Sequence, residues 1–235
     1  VAQAGIYSVA YSAGYVVNVF KNSIVDALKP WIYQKIRDKN YVTIQKTVNS
    51  VMILVTLISA VFTAFAPEVI YIMAPAQYHE AIYVIPPVSA SSYFTFLYNI
   101  FSIVGLYYEK TKKIMWASVS GAILNLVLNA ICIPIFGYIA AAYTTLVCYM
   151  FFSFAHYLIM KSICKMNLDG VEIYDMKFIL LMSAVMIALT IIFTLTYSNS
   201  LIRYAIILVL AVIIFVQRKA LLNTVKELKS SKKRK

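Results

Sequence analysis

The sequence is short of acid, of flexible residues and of charge altogether. Of 235 residues only 13% are charged and nine are Asp or Glu, whereas a soluble domain carries about 25% charged residues. Too little charge accompanies too much apolar surface (62% hydrophobic) for either a soluble globule or a disordered chain. Six Gly and six Pro rule out collagen-like and low-complexity classes. Three cysteines and two histidines leave no ligand spacing for a structural metal, so no metal and no cofactor is expected. Cys132, Cys148 and Cys164 share no membrane face in the topology below, which gives no disulfide.

What is present is long apolar runs. About 20 such residues cross the roughly 30 Å hydrocarbon layer at 1.5 Å per residue. Seven runs fit, near 4–28, 46–66, 82–107, 114–134, 137–160, 177–197 and 201–217, here called spans A to G. None shows the alternation of an outer-membrane strand, and lipid satisfies no open sheet edge. The expected fold is therefore all-α, a polytopic transmembrane helix bundle. Proline punctuates it: Pro30 is expected to end span A, Pro67 span B and Pro134 span D, while Pro86-Pro87 should break the outer part of C. The short apolar stretch 67–78, broken by Pro75, suits an outer hairpin or half-inserted helix.

The net charge of +12 follows from position. The A–B connection holds Lys29, Lys35, Arg37, Lys39 and Lys46; the C–D connection holds Lys110, Lys112 and Lys113; the E–F connection holds Lys161, Lys165 and Lys177. Eight more follow span G, so 19 of the 21 basic residues fall on one side. By the positive-inside rule the N-terminus lies outside and the C-terminus in the cytoplasm. The charge is thus topological and implies no nucleic acid. The tail 218–235 reads as a basic strip on anionic headgroups or as a plain stop-transfer end. Arg203 is read as marking the outer end of G.

Ionisable and polar groups inside a span point to function by default. Lys21 sits about 12 Å deep in span A at helical rise. It either faces a wet cavity and binds a phosphate-bearing substrate, or its stem snorkels to the inner interface. Tyr7, Tyr11 and Tyr15 recur every four residues on the outer half of A, and Asn18, Asn22 and Asp26 do so on the inner half. Tyrosine rings and amides suit a sugar, while packing and the interfacial aromatic belt suit the same pattern. Asn125 and Asn129 share one face of D, where buried Asn joins helices by hydrogen bonds. Ala10 with Gly14 and Ala117 with Gly121 are small pairs that allow close helix approach. His156 has no acidic neighbour at helical spacing, which favours packing over proton relay.

Three segments together resemble the C-terminal part of bacterial polysaccharide flippases, exporters of lipid-linked oligosaccharide in the multidrug/oligosaccharidyl-lipid/polysaccharide superfamily. They are Gly5-Ile6-Tyr7-Ser8 closing at Ala27-Leu28-Lys29-Pro30; Phe65-Ala66-Pro67-Glu68-Val69-Ile70 running through Tyr78 and Ala81 to Ile85-Pro86; and Asn125 to Asn129, Ile133-Pro134, Gly137, Ala140–Ala142 and Thr144-Thr145. The resemblance implies a fourteen-helix protein of which A to G are helices eight to fourteen. It divides the chain into a partial second lobe (1–160), two additional helices (161–217) and a basic tail (218–235). Val1 then opens a fragment that lacks the N-terminal lobe. The implied function is no enzymatic reaction. It is translocation of an undecaprenyl-diphosphate-linked oligosaccharide from the inner to the outer leaflet of the bacterial inner membrane by alternating access. Lys21, Asn18, Asn22, Asp26, Tyr7, Tyr11 and Tyr15 are the cavity candidates, with membrane lipids and the missing lobe as partners. A seven-helix receptor or sensor shares the topology, and a membrane glycosyltransferase or polymerase is the third class, poor in outer acids and bases.

Overall fold

The structure is a computed structural model. It describes the backbone of residues 2–232 and the side chains of 5–12, 14, 17–72 and 74–216. Among the described residues it is wholly helical: α1 (Ala2–Arg37), α2 (Tyr41–Ala64), α3 (Ala66–Met73), a 3-10 segment (Ala76–Val84), α4 (Ile85–Tyr107), α5 (Thr111–Phe136), α6 (Ala140–Asn167), α7 (Met176–Thr196) and α8 (Ser200–Lys232). Four of these, α2, α5, α6 and α7, are long and apolar enough to cross a membrane, and the apolar part Ser200–Val216 of α8 is shorter. The lengths of α1 and α4 also suffice, but Ser, Asn, Lys and Tyr dilute their apolar content.

Tight turns make neighbours antiparallel. The α1–α2 turn closes with Asn40 N–H donating to Lys35 O at 2.9 Å, and the α4–α5 turn with Lys110 N–H donating to Gly105 O at 2.8 Å. Such 6→1 bonds satisfy carbonyls left over at a helix end. Lys39 and Glu109 take the left-handed conformation these turns need, at φ 55° each. At the α5–α6 junction Gly137 does the same at φ 76°, with ψ −172°. Asn40 and Asp175 cap α2 and α7, accepting from Thr43 N–H and Phe178 N–H.

Proline acts differently from the sequence expectation at two places. Pro30 does not end α1; it lies inside the helix, which runs on to Arg37. Its exposed position at a helix end tolerates the missing N–H. Pro86-Pro87 does not break a helix but starts one, in the first turn of α4, where no N–H partner is required. Pro67 likewise opens α3, and Pro134 lies in the last turns of α5 before Gly137.

Two hydrophobic clusters hold the bundle. One joins Leu28, Trp31 and Ile32 of α1, Ile44 to Val55 of α2, most of α4, Ile163 and Cys164 of α6, and Tyr174. The other joins Ile6 and Ala10, Leu57 to Ala66, Ile70, Ala81 to Val88, Ala142, Phe193 and Tyr197. Buried polar side chains lie where the clusters meet along α2 and α4: Thr56, Ser59, Ser89, Ser91, Ser92 and Thr95. Most of these hydroxyls bond back to a carbonyl four residues earlier, as Thr95 does to Ser91 O at 2.7 Å. Ser89 instead crosses to Ser59 O of α2 at 3.0 Å.

A central helix organises the rest. α4 is buried along nearly its whole length, and its largest interface is with α6. It runs parallel to α1 with a constant offset of about 74 residues, since Gly5 meets Tyr78, Gly14 meets Val88 and Tyr33 meets Tyr107. The two ends of the bundle differ. One gathers Gln45, Asn49, Glu172 and Asp175, joined by Gln45 Nε2 to Glu172 O (2.8 Å) and Asn49 Nδ2 to Asp175 Oδ2 (3.3 Å). The turns that carry Lys35, Lys39, Lys110, Lys113 and Lys165 share that basic end. The opposite end holds Glu68, Glu80, Tyr138 and Arg203.

Candidate functional site

A cavity of about 510 Å³ lies between the outer half of α1 and the facing surfaces of α5 and α6. α1 contributes Tyr7 and Tyr11, whose rings stack at 5.9 Å. α5 contributes Gly121, Asn125 and Asn129; α6 contributes Thr145, Cys148, Tyr149 and Phe152 at helical spacing. Gly121 is required by packing: a Cβ there would fall 2.1 Å from the Phe152 ring. The small pair Ala117/Gly121 is thus where α5 meets α6, and Ala10/Gly14 is where α1 meets α4.

The polar walls are connected. Asn129 Nδ2 donates to Asn125 Oδ1 at 3.1 Å, and Thr144 Oγ1 of α6 donates to Asn129 Oδ1. Tyr7 lies within reach of Thr145, and Cys148 of Asn125. The asparagines therefore tie α5 to α6 and also present amide edges to the cavity. Below it, Tyr98 of α4 stacks on Tyr149 at 6.4 Å and tilts against His156 at 5.3 Å. His156 Nδ1 lies 2.8 Å from Phe152 O, while its buried Nε2 has no partner among the described residues.

The remaining candidates on α1 separate. Lys21 is 5% exposed and makes no ion pair or hydrogen bond among the described residues. It shares the Gly14 face, and the α1–α4 offset sets it level with Thr95 in the polar layer. It does not line the tyrosine cavity. Asn22 and Asp26 are exposed and Asn18 is half-buried. With Ser8, Tyr11 and Ser12 they form a polar stripe along α1 that no helix of the bundle covers. The side chain of Tyr15 lies outside the described residues, as do those of the tail 218–235.

Arg203 does more than mark an end. It is 4% exposed, pairs with Glu68 of α3, and lies 5.2 Å from the Tyr204 ring. Tyr204 O–H also donates to Glu68 at 2.6 Å. Sequence reasoning missed this pair because the partners are 135 positions apart. Thr145, Tyr149 and Phe152 were missed too, although their spacing puts them on one face of α6. Near the same end, burial and the adjacent Glu80 carboxylate push the Tyr138 phenol up; its O–H donates to Glu80 at 3.2 Å. No group of three metal-ligating side chains occurs among the described residues.

No family model, curated protein or solved structure matches this chain.

Proposed function

We propose that this chain is the second-lobe portion of a flippase for lipid-linked oligosaccharide, related to the polysaccharide exporters that its three sequence segments resemble. The observation that carries the reading is the uncovered polar stripe of α1. A helix in a membrane bundle turns polar groups toward protein or water because lipid offers them no partner. The other outward faces are apolar: Leu126, Ile135 and Phe136 of α5, Leu180 and Leu195 of α7, Leu208 and Phe215 of α8 are all exposed. Only on α1 do Tyr11, Ser12, Asn22 and Asp26 stand together in that position. In the proposed protein this stripe faces the other lobe across a hydrophilic groove.

The roles follow from side-chain chemistry. Tyr7 and Tyr11 offer ring faces to a sugar, and Asn125, Asn129 and Thr145 offer amide and hydroxyl partners for its O–H groups. Asn18, Asn22 and Asp26 continue hydrogen bonding along the groove. Lys21, between the two apolar clusters, supplies the positive charge for a diphosphate when α1 and α4 part. That parting is the alternating-access step, and no bond is made or broken in it. In this reading the protein is multi-pass in the bacterial inner membrane, with the basic end of the bundle cytoplasmic.

The test is export of lipid-linked oligosaccharide by the whole protein carrying Lys21→Ala or Asn125→Ala/Asn129→Ala. The reading expects both to cut export with the protein still in the membrane. Undiminished export by both variants would sink it. Labelling of Asn22→Cys and Asp26→Cys by a membrane-impermeant maleimide checks that the groove is wet, against Leu126→Cys as the lipid-facing control.

A further inference from the structure

A second cavity, of about 540 Å³, lies at the basic end between the last turns of α6 and the 168–175 connection. Its walls carry charge of both signs: Lys161 and Lys165 from α6, Asp169 and Glu172 from the connection. These four line one space, yet no ion pair joins them among the described residues. Lys161 instead stands 6.0 Å from the Tyr157 ring, and Glu172 engages the rest of the fold through its backbone oxygen, which accepts from Gln45. The floor is apolar and rigid. It is made of Met160, Cys164, Ile173 and Tyr174, all buried, with Tyr174 O–H donating to Ile100 O at 2.8 Å.

The depth of the cavity is set by helix length. With 28 residues α6 is about 42 Å long, some 12 Å more than the hydrocarbon layer. Met176, the first residue of α7, lines the same cavity, so its mouth lies where the α7 span begins. Lys161 and Lys165 are thus at headgroup level. Above them on the same face of α6, Phe154 and Leu158 are exposed at helical spacing. An apolar track leads along the helix into a pocket with two cations on one side and two carboxylates on the other.

We infer that this pocket binds an aminophospholipid. Its phosphate lies between Lys161 and Lys165, its ammonium faces Asp169 and Glu172, and one acyl chain follows Phe154 and Leu158. A headgroup with both charges matches a pocket whose own charges are left apart. A purely anionic headgroup would meet the two carboxylates unfavourably. A trimethylated headgroup carries the charge but donates no N–H to them. Basic pockets beside membrane helices are known to select headgroups by this electrostatics.

The experiment uses the full chain in nanodiscs made from equimolar phosphatidylethanolamine, phosphatidylcholine and phosphatidylglycerol. Lipid retained after transfer to detergent is read by native mass spectrometry. Wild type should retain phosphatidylethanolamine about tenfold over phosphatidylcholine, the gain of a charge-assisted hydrogen-bonded contact. Lys161→Gln/Lys165→Gln should lower retention roughly thirtyfold, and Asp169→Asn/Glu172→Gln should erase the preference over phosphatidylcholine. All four side chains stand at the rim, and the single variant Lys165→Gln serves should a double variant fail to fold. Soluble glycerophosphoethanolamine that competes as well as the lipid would assign the pocket to a free phosphate ester and overturn the acyl-chain part. Equal retention of the three lipids by wild type, or a preference for phosphatidylglycerol, overturns the proposal.

Discussion

α4 and α5 are adjacent in the chain, similar in length and opposite in placement. α5 is the more apolar, yet only Ala117 and Gly121 of its described residues are buried. α4 carries Ser89, Ser91, Ser92, Thr95 and Ser102, yet nineteen of its 23 residues are buried. In water that ranking would be reversed. In a bilayer the outside is the most apolar environment, so the best lipid-facing helix goes to the periphery and the hydroxyl-bearing helix to the middle. Hydroxyls there bond to helix carbonyls and small side chains let backbones approach.

The contrast can be broken from either side. Phe96 of α4 is fully buried, and Phe96→Ala should cost about 3–5 kcal/mol by opening a cavity, read as a large fall in the unfolding midpoint in detergent. Gly121→Leu drives a side chain into Phe152 at the single tight contact of α5 and should cost about 1–3 kcal/mol, with α5 freed to protease. Tyr174→Phe removes the bond that anchors the 168–175 connection to Ile100 of α4 and should cost about 1 kcal/mol below pH 10. Burial pushes the Tyr174 phenol above its ordinary value of 10.0, with nearby Cys164 a smaller contribution. The neutral phenol is the form the fold prefers, so its stabilisation is complete below pH 10 and is lost as pH rises beyond it. A stability–pH series should therefore fall more steeply above pH 10 in wild type than in the Phe variant. Ser89→Ala breaks the α4–α2 hydroxyl bond and should cost about 0.6 kcal/mol. Smallest of all, Leu126→Ala on the outer face of α5, where Leu126 is 71% exposed, should shift stability by no more than about 0.5 kcal/mol.

Part of the site was readable before any coordinates. Tyr7 and Tyr11 share a cavity with Asn125 and Asn129, four residues picked from two helical stripes 118 or more positions apart. Periodicity was enough because each stripe needed only its own helix. Lys21 and the cavity did not come together, since a helical wheel gives the face of a residue but not the neighbour on that face. Pro86-Pro87 misled for a related reason: a proline pair stops a helix that is already running and starts one that is not, and the preceding 3-10 segment decides between them. The Arg203–Glu68 pair had no local signature at all.

By itself the sequence determined an all-helical chain, the approximate limits of its helices and the gathering of basic connections at one end. These depend on composition and on residues within one or two turns of each other. Only the tertiary structure decided which helix is central, which polar stripe stays uncovered and which charges meet or stay apart. Those outcomes depend on packing partners distant in the chain, and hydropathy in a membrane protein does not rank inside against outside.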